Sequence, residues 1–265
     1  MSSWKWEIHY AAEVQGVFSE EPIEIKVEKK SIDLKIRFIN VAGFTKDKVQ
    51  FECLDYKSNN RETALKNTRE LVTNIINILA DKFGASFTQF LMVHIKEFEQ
   101  KGCTKMGVVR VEKVDNVQLT KTDVNDLVTS LIDDTYVNFL STNPQQKIYR
   151  SIIFSQNKVG KFIAMYSLLS EIIENHGTEA GNGQGKVDKF IRSQANYWNA
   201  SEERDSTKHK DRHGNPIKET KYTWLRNQIG HTQLNTDILQ VENEIESSYP
   251  TLVKLVQIAI RTYLR

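Results

Sequence analysis

The stretch Ile32-Asp33-Leu34-Lys35-Ile36-Arg37-Phe38 alternates apolar and charged side chains without a break. Successive side chains of a strand point to opposite faces, so this period of two predicts a strand with one buried and one wetted face. Ile23, Ile25 and Val27 repeat the pattern just upstream, with Lys and Glu in the opposite phase, and apolar residues tend to alternate throughout 4–56. Glu21-Pro22 and Gly43 fit turn positions. The reading is a set of antiparallel strands with one solvated face.

After Asn59 the period changes. Leu65, Val72, Ile75, Ile76, Leu79 and Phe83 recur at helical spacing, and Gly84 follows as a helix stop. From Phe87 to Phe98 the pattern fits both helix and strand and leans to helix, whereas Met106 to Val114 reads as a strand. Thr122 is a candidate cap for a helix running to about Leu140, and Asn143-Pro144 looks like a boundary.

Beyond it, Phe162, Tyr166, Leu169, Ile172 and Ile173 form a helical stripe that ends before Gly177, and Gly181 to Gly185 reads as a flexible link. Helices are expected over Val187 to Trp198, Lys221 to Ile229 and Thr236 to Ser247, with a last one after Pro250. Ser201 to Lys218 is polar and reads as a mobile surface insertion. The expected fold class is α+β: a mixed antiparallel sheet and helix domain over 1–141, then an all-α bundle over 142–265.

With 265 residues, the chain is long enough for two domains of ordinary size. No apolar run approaches the roughly 20 residues a bilayer crossing needs, so no membrane partner is expected. The start, Met-Ser-Ser-Trp-Lys-Trp, lacks the apolar core of a secretory signal, and Cys53 and Cys103 match no close metal spacing, which together read as a cytoplasmic protein in a reducing compartment. Lys and Arg number 36 against 34 Asp and Glu, so any nucleic-acid binding must be local.

Phosphate-loop, nucleophile-elbow and zinc-helix signatures are absent, and the glycines at 181, 183 and 185 join two helices with no strand feeding them. The chemistry concentrates instead in Tyr222-Thr223-Trp224-Leu225-Arg226-Asn227-Gln228-Ile229-Gly230-His231. Arg226 carries a permanently charged planar fork that suits phosphate oxygens, and His231, with an ordinary pKa of about 6.5, can move a proton near neutrality. RNA supplies its own nucleophile: a base that takes the 2′-hydroxyl proton lets that oxygen attack the adjacent phosphorus, with no metal or other cofactor needed. Five residues on a straight helix turn through about 500°, placing the two side chains about 140° apart, and Gly230 is a natural place for the helix to bend or end.

Arg226 to His231 resembles the R-x4–6-H motif of the HEPN superfamily, including that family's frequent Asn directly after the arginine. The resemblance covers roughly 142–265 and is nearest the abortive-infection, Apea-like and MauJ-like members. It implies an α-helical bundle that pairs as a homodimer, with Arg226 and His231 catalytic and Asn227 supporting them. It further implies a toxin or antiviral defence effector, held back by an antitoxin or awaiting a trigger. A second match, Arg204 to His209, falls in the polar insertion, whereas Trp224, Leu225 and Ile229 can anchor the later one in a bundle. Lys208, Lys210 and Arg212 are weaker candidates for RNA phosphates, and Trp224 for stacking on a base, with a solvated loop and a core aromatic as the competing readings. His9, His94 and His176 read as structural. The near-neutral charge motivates a second hypothesis, a non-catalytic nucleotide- or RNA-binding or assembly module.

Overall fold

In the computed structural model, which describes residues 4–27, 32–39, 47–87, 90–97, 117–155, 157–181, 183–194, 197, 202–230 and 237–265, the alternating segments become strands. They are β1 (Trp4–Gln15), β2 (Val17–Phe18), β3 (Ile23–Val27), β4 (Ile32–Ile39) and β5 (Asp47–Ser58). Helix α1 (Arg61–Phe83) follows, then β6 (Ser86–Phe87), β7 (Leu91–Glu97), β8 (Val117–Gln118), α2 (Lys121–Ile132) and α3 (Asp134–Thr142). The remainder comprises α4 (Pro144–Phe154), α5 (Lys158–His176), α6 (Gly183–Ser193), β9 (Glu203–Lys210), β10 (Pro216–Thr220), α7 (Lys221–Gly230) and α8 (Ile238–Tyr263). The chain divides into two compact units, Met1–Asn143 and Pro144–Arg265.

In the first unit, strands run in the order β3-β4-β5-β1, and β6 and β7 both pair with β1. All these pairings are antiparallel. The apolar phase is buried: Ile8, Tyr10, Val14, Ile32, Leu34, Ile36 and Phe51 lie in the core, as do Leu71, Ile75, Ile78 and Leu79 of α1. The opposite phase is polar, with Lys35 bound to Glu24 at 2.7 Å and Arg37 to Glu52 at 2.7 Å. Asn60 caps the start of α1, and Gly84, at φ 66°, closes its end in the left-handed conformation that glycine adopts without strain. His9 and His94 sit with ring centroids 4.9 Å apart. Cys53 is buried, which pushes its thiol up to about 12, and Cys103 lies outside the described residues.

Three expectations for this unit change. Leu91–Glu97 is a strand rather than a helix, because pairing with Trp6–Ala11 satisfies the backbone along that side of β1. The helix expected from Thr122 is two: Thr120 caps α2 in a reciprocal pair with Asp123, and Asp133 ends it and caps α3 through Tyr136 N at 3.0 Å. Met106 to Val114 lies outside the described residues.

The second unit is mostly helical, with a small sheet. Phe162, Met165, Leu169, Ile172 and Ile173 of α5 form its centre, together with Phe190 and Ile191 of α6 and Leu252, Leu255, Val256 and Ala259 of α8. The expectation of an all-α bundle is corrected by β9 and β10, an antiparallel hairpin in the segment read as a mobile insertion. Its strands are almost wholly polar, so hydrophobic periodicity does not reveal them. Antiparallel backbone pairing holds them, with ion pairs from Lys218 to Asp205 across the hairpin at 2.7 Å and from Glu203 to Arg192 of α6 at 3.1 Å. At the turn, Asp211 Oδ1 accepts from His213 N and Asn215 N, and these backbone donors pull its carboxyl below the usual range.

The helices expected on either side of Pro250 are one, α8, with that proline inside it. Burial of Ile245 before it and Leu252 after it keeps the helix continuous past a residue that lacks an N–H. The glycine link is shorter than read, because α6 already begins at Gly183. Trp198 lies outside the described residues. Among the described residues no helix is long and apolar enough to cross a membrane.

Replacing Pro250 by Ala restores a backbone donor within α8, and the interior-proline penalty, less the entropy regained by the unfolded chain, sets the gain at about 2 kcal/mol. The expected result in thermal or urea denaturation is a more stable protein; equal or lower stability would show that the helix is built around the proline.

Candidate functional site

A buried carboxylate fixes the junction between β10 and α7. Asp188 of α6 is 5% exposed. Its Oδ1 accepts from Thr220 Oγ1 at 2.5 Å, Thr223 Oγ1 at 2.6 Å and Thr220 N at 3.3 Å. Thr223 N also donates to Thr220 Oγ1 at 3.4 Å, so Thr220 both ends the strand and caps the helix. Tyr166 OH of α5 lies 2.7 Å from Thr223 Oγ1. A threonine hydroxyl has one proton, and Thr223 gives its proton to Asp188, so Tyr166 is the donor in that contact. Burial pushes the Asp188 carboxyl up, against the pull of the two threonine hydroxyls and Arg192, and burial likewise pushes the Tyr166 phenol up.

From this fixed start α7 turns its residues to different surroundings. Tyr222, Thr223 and Leu225 are buried, and so are Tyr222's neighbours in the core, whereas Arg226 is half-buried. Tyr222 is therefore a core residue, and its burial pushes the phenol up to about 12. Asn227 is also buried, and its amide is held from both ends. Oδ1 accepts from Arg226 Nη1 at 3.0 Å and from Gln184 Nε2 of α6 at 3.0 Å. Nδ2 donates to Glu219 Oε2, at the end of β10, at 3.2 Å. Glu219 is itself buried, and its Oε1 has no hydrogen-bond partner among the described residues. Among the described residues no ion pair involves Arg226. The guanidinium is oriented by an amide oxygen rather than by a carboxylate.

The structure thus joins Arg226 to Asn227, while His231 lies outside the described residues. Trp224 is on the same helix. Lys210 and Arg212 are exposed at the hairpin turn, and Lys208 belongs to β9 with its side chain outside the described part. The contacts of Arg226 and Asn227 run to Gln184 and Glu219 rather than to these hairpin cations. The competing match, Arg204 to His209, lies on β9, whose register with β10 shifts between the two residues. Arg204 is also 3.7 Å from Glu244 of α8, so it is engaged elsewhere.

Sequence reading missed Asp188, Gln184, Glu219 and Tyr166. Two signals for the first were present: Asp188 shares the helical face of Val187 and Ile191, an apolar phase, and Thr220 with Thr223 has the spacing of a hydroxyl cap. Gln184 and Glu219 carry no such mark, since one sits among glycines and the other in a polar strand. Among the described residues no cluster of three or more His, Cys, Asp or Glu is placed to hold a metal ion. The chain matches no protein-family model, no curated protein and no solved structure.

The raised Asp188 pKa has a signed consequence. Between the unfolded value near 3.9 and the higher folded value, the native state binds more protons than the unfolded one, so this group lowers stability as pH rises through that window. Asp188→Asn is expected to remove that contribution, so that stability measured by urea denaturation falls less with rising pH than in the parent. Parallel pH profiles for the two proteins would contradict it.

Proposed function

We propose that this protein is a metal-independent endoribonuclease, with Arg226 and His231 as its catalytic pair and Asn227 supporting them. The observation that carries the reading is the state of Arg226: a half-buried guanidinium on a helix fixed at its start, held by the Asn227 amide oxygen and in no ion pair among the described residues. Such a group keeps its charge for a ligand, and a partly desolvated setting strengthens its pull on phosphate oxygens. A guanidinium that served only to pair helices would face an Asp or Glu.

In the proposed reaction His231 takes the proton from a ribose 2′-hydroxyl. The freed oxygen forms a bond to the adjacent phosphorus, and the bond from phosphorus to the 5′-oxygen breaks. Arg226 stabilises the negative charge that builds on the phosphorane oxygens, the leaving 5′-oxygen takes a proton from water, and His231 returns the proton it took to the hydroxide so formed. The products are a 2′,3′-cyclic phosphate and a 5′-hydroxyl. Lys210 and Arg212 on the exposed turn, with Lys208 and Trp224, are the proposed contacts to the rest of the strand. The remainder of the reading follows from the resemblance to the HEPN superfamily: a homodimer through the helical unit, a defence or toxin role in the cytoplasm, and restraint by an antitoxin or a trigger.

Arg226→Ala and His231→Ala are each expected to lower cleavage of mixed cellular RNA in EDTA by at least about 100-fold, without change in the circular dichroism spectrum. Cutting that persists at the parental rate in both variants would rule this site out.

A further inference from the structure

We propose that Glu219 and Gln184 are positioning residues for Arg226, acting together through the Asn227 amide. This rests on the reading of Arg226 as the catalytic cation. An asparagine amide presents an acceptor at one end and two donors at the other, and a half-turn about its last torsion exchanges them. If Asn227 turned its NH2 toward Arg226, two donors would face each other and the guanidinium would lose its only hydrogen bond to a described side chain. The neighbours forbid that turn.

Glu219 Oε2 accepts from Asn227 Nδ2 at 3.2 Å and so claims the NH2 end. Oδ1 then points to Arg226 Nη1 and Gln184 Nε2, both at 3.0 Å, and its two lone pairs satisfy both. Glu219 and Asn227 are buried, so water cannot readily replace either partner. Three elements therefore set one guanidinium: β10 through Glu219, α6 through Gln184, and α7 through Asn227 and Arg226. The carboxylate sets the orientation through the intervening amide and forms no ion pair with the arginine.

Two variants at Glu219 separate this role from simple packing. Glu219→Gln retains an oxygen for Asn227 Nδ2, and its NH2 takes the place of Oε1, which has no partner among the described residues. Glu219→Ala removes the acceptor and leaves the amide free to turn. For RNA cleavage the expectation is a kcat lowered about 10-fold or more in Glu219→Ala with little change in KM, and most of that rate recovered in Glu219→Gln. Placed on Arg226→Ala, the same Glu219→Ala change is expected to add less than about a 2-fold loss, because its route of action is gone. An equal loss in both backgrounds would overturn the proposal, as would Gln and Ala variants of equal activity.

A second readout does not need cleavage. Nitrogen-15 NMR of the arginine side chains reports rotation of the Arg226 guanidinium, expected to be slow in the parent and in Glu219→Gln and averaged in Glu219→Ala. That result with no cutting by any protein would sustain the positioning role and count against the nuclease alone. An Arg226 signal indifferent to Glu219→Ala would overturn the positioning role, whatever the protein does to RNA.

Discussion

The hydrogen bonds that Thr220 and Thr223 give to Asp188 decide how the second unit presents its chemistry. Burying a carboxylate is costly unless donors replace the water it loses, and here two hydroxyls and a backbone N–H converge on one oxygen. Those donors come from the last residue of β10 and the first turn of α7, and the carboxylate comes from α6. The strand cannot end elsewhere, nor the helix start in another direction, without leaving the carboxylate unsatisfied. Tyr166 extends the restraint to α5, whose apolar face lies at the centre of the unit.

This anchoring bears on Arg226, which follows Thr223 along α7. A long cationic side chain on a surface helix ordinarily samples many rotamers, and ordering it costs entropy at each binding event. Here the helix is fixed at its start, and the guanidinium is held at its tip by an amide that is itself held at both ends. The arrangement orients the charge outside any ion pair among the described residues, as an anion site requires. A carboxylate in direct contact would also have ordered the arginine, but at the expense of its field toward a phosphate. In the proposed reaction that distinction is what separates a catalytic arginine from a structural one.

The legible parts of the fold were those in which one face is apolar. The strand around Ile32 to Phe38 follows directly from its period because its burial is one-sided, and the helix around Val72 to Phe83 follows from its apolar spacing even though 75–81 is buried all round. Leu91–Glu97 was ambiguous in pattern, and its pairing with β1 decided it. The hairpin of β9 and β10 was illegible because backbone pairing, ion pairs and a turn hold it, and none of these leaves a hydrophobic period. Pro250 misled in the other direction: a local rule that ends helices was overruled by burial on both of its sides. At the site, Arg226 and Asn227 stood out because they are adjacent in sequence and bear on phosphate chemistry. Glu219 and Gln184 reach the same amide from 8 and 43 residues away, a proximity only the folded chain creates.

The most direct test of the central claim is the identity of the ends left on RNA cut by the parental protein in EDTA. Attack by the 2′-oxygen, as proposed for Arg226 and His231, leaves 2′,3′-cyclic phosphate on one fragment and a 5′-hydroxyl on the other. Fragments ending in 3′-hydroxyl and 5′-phosphate would mean that water rather than the ribose is the nucleophile, and would contradict it.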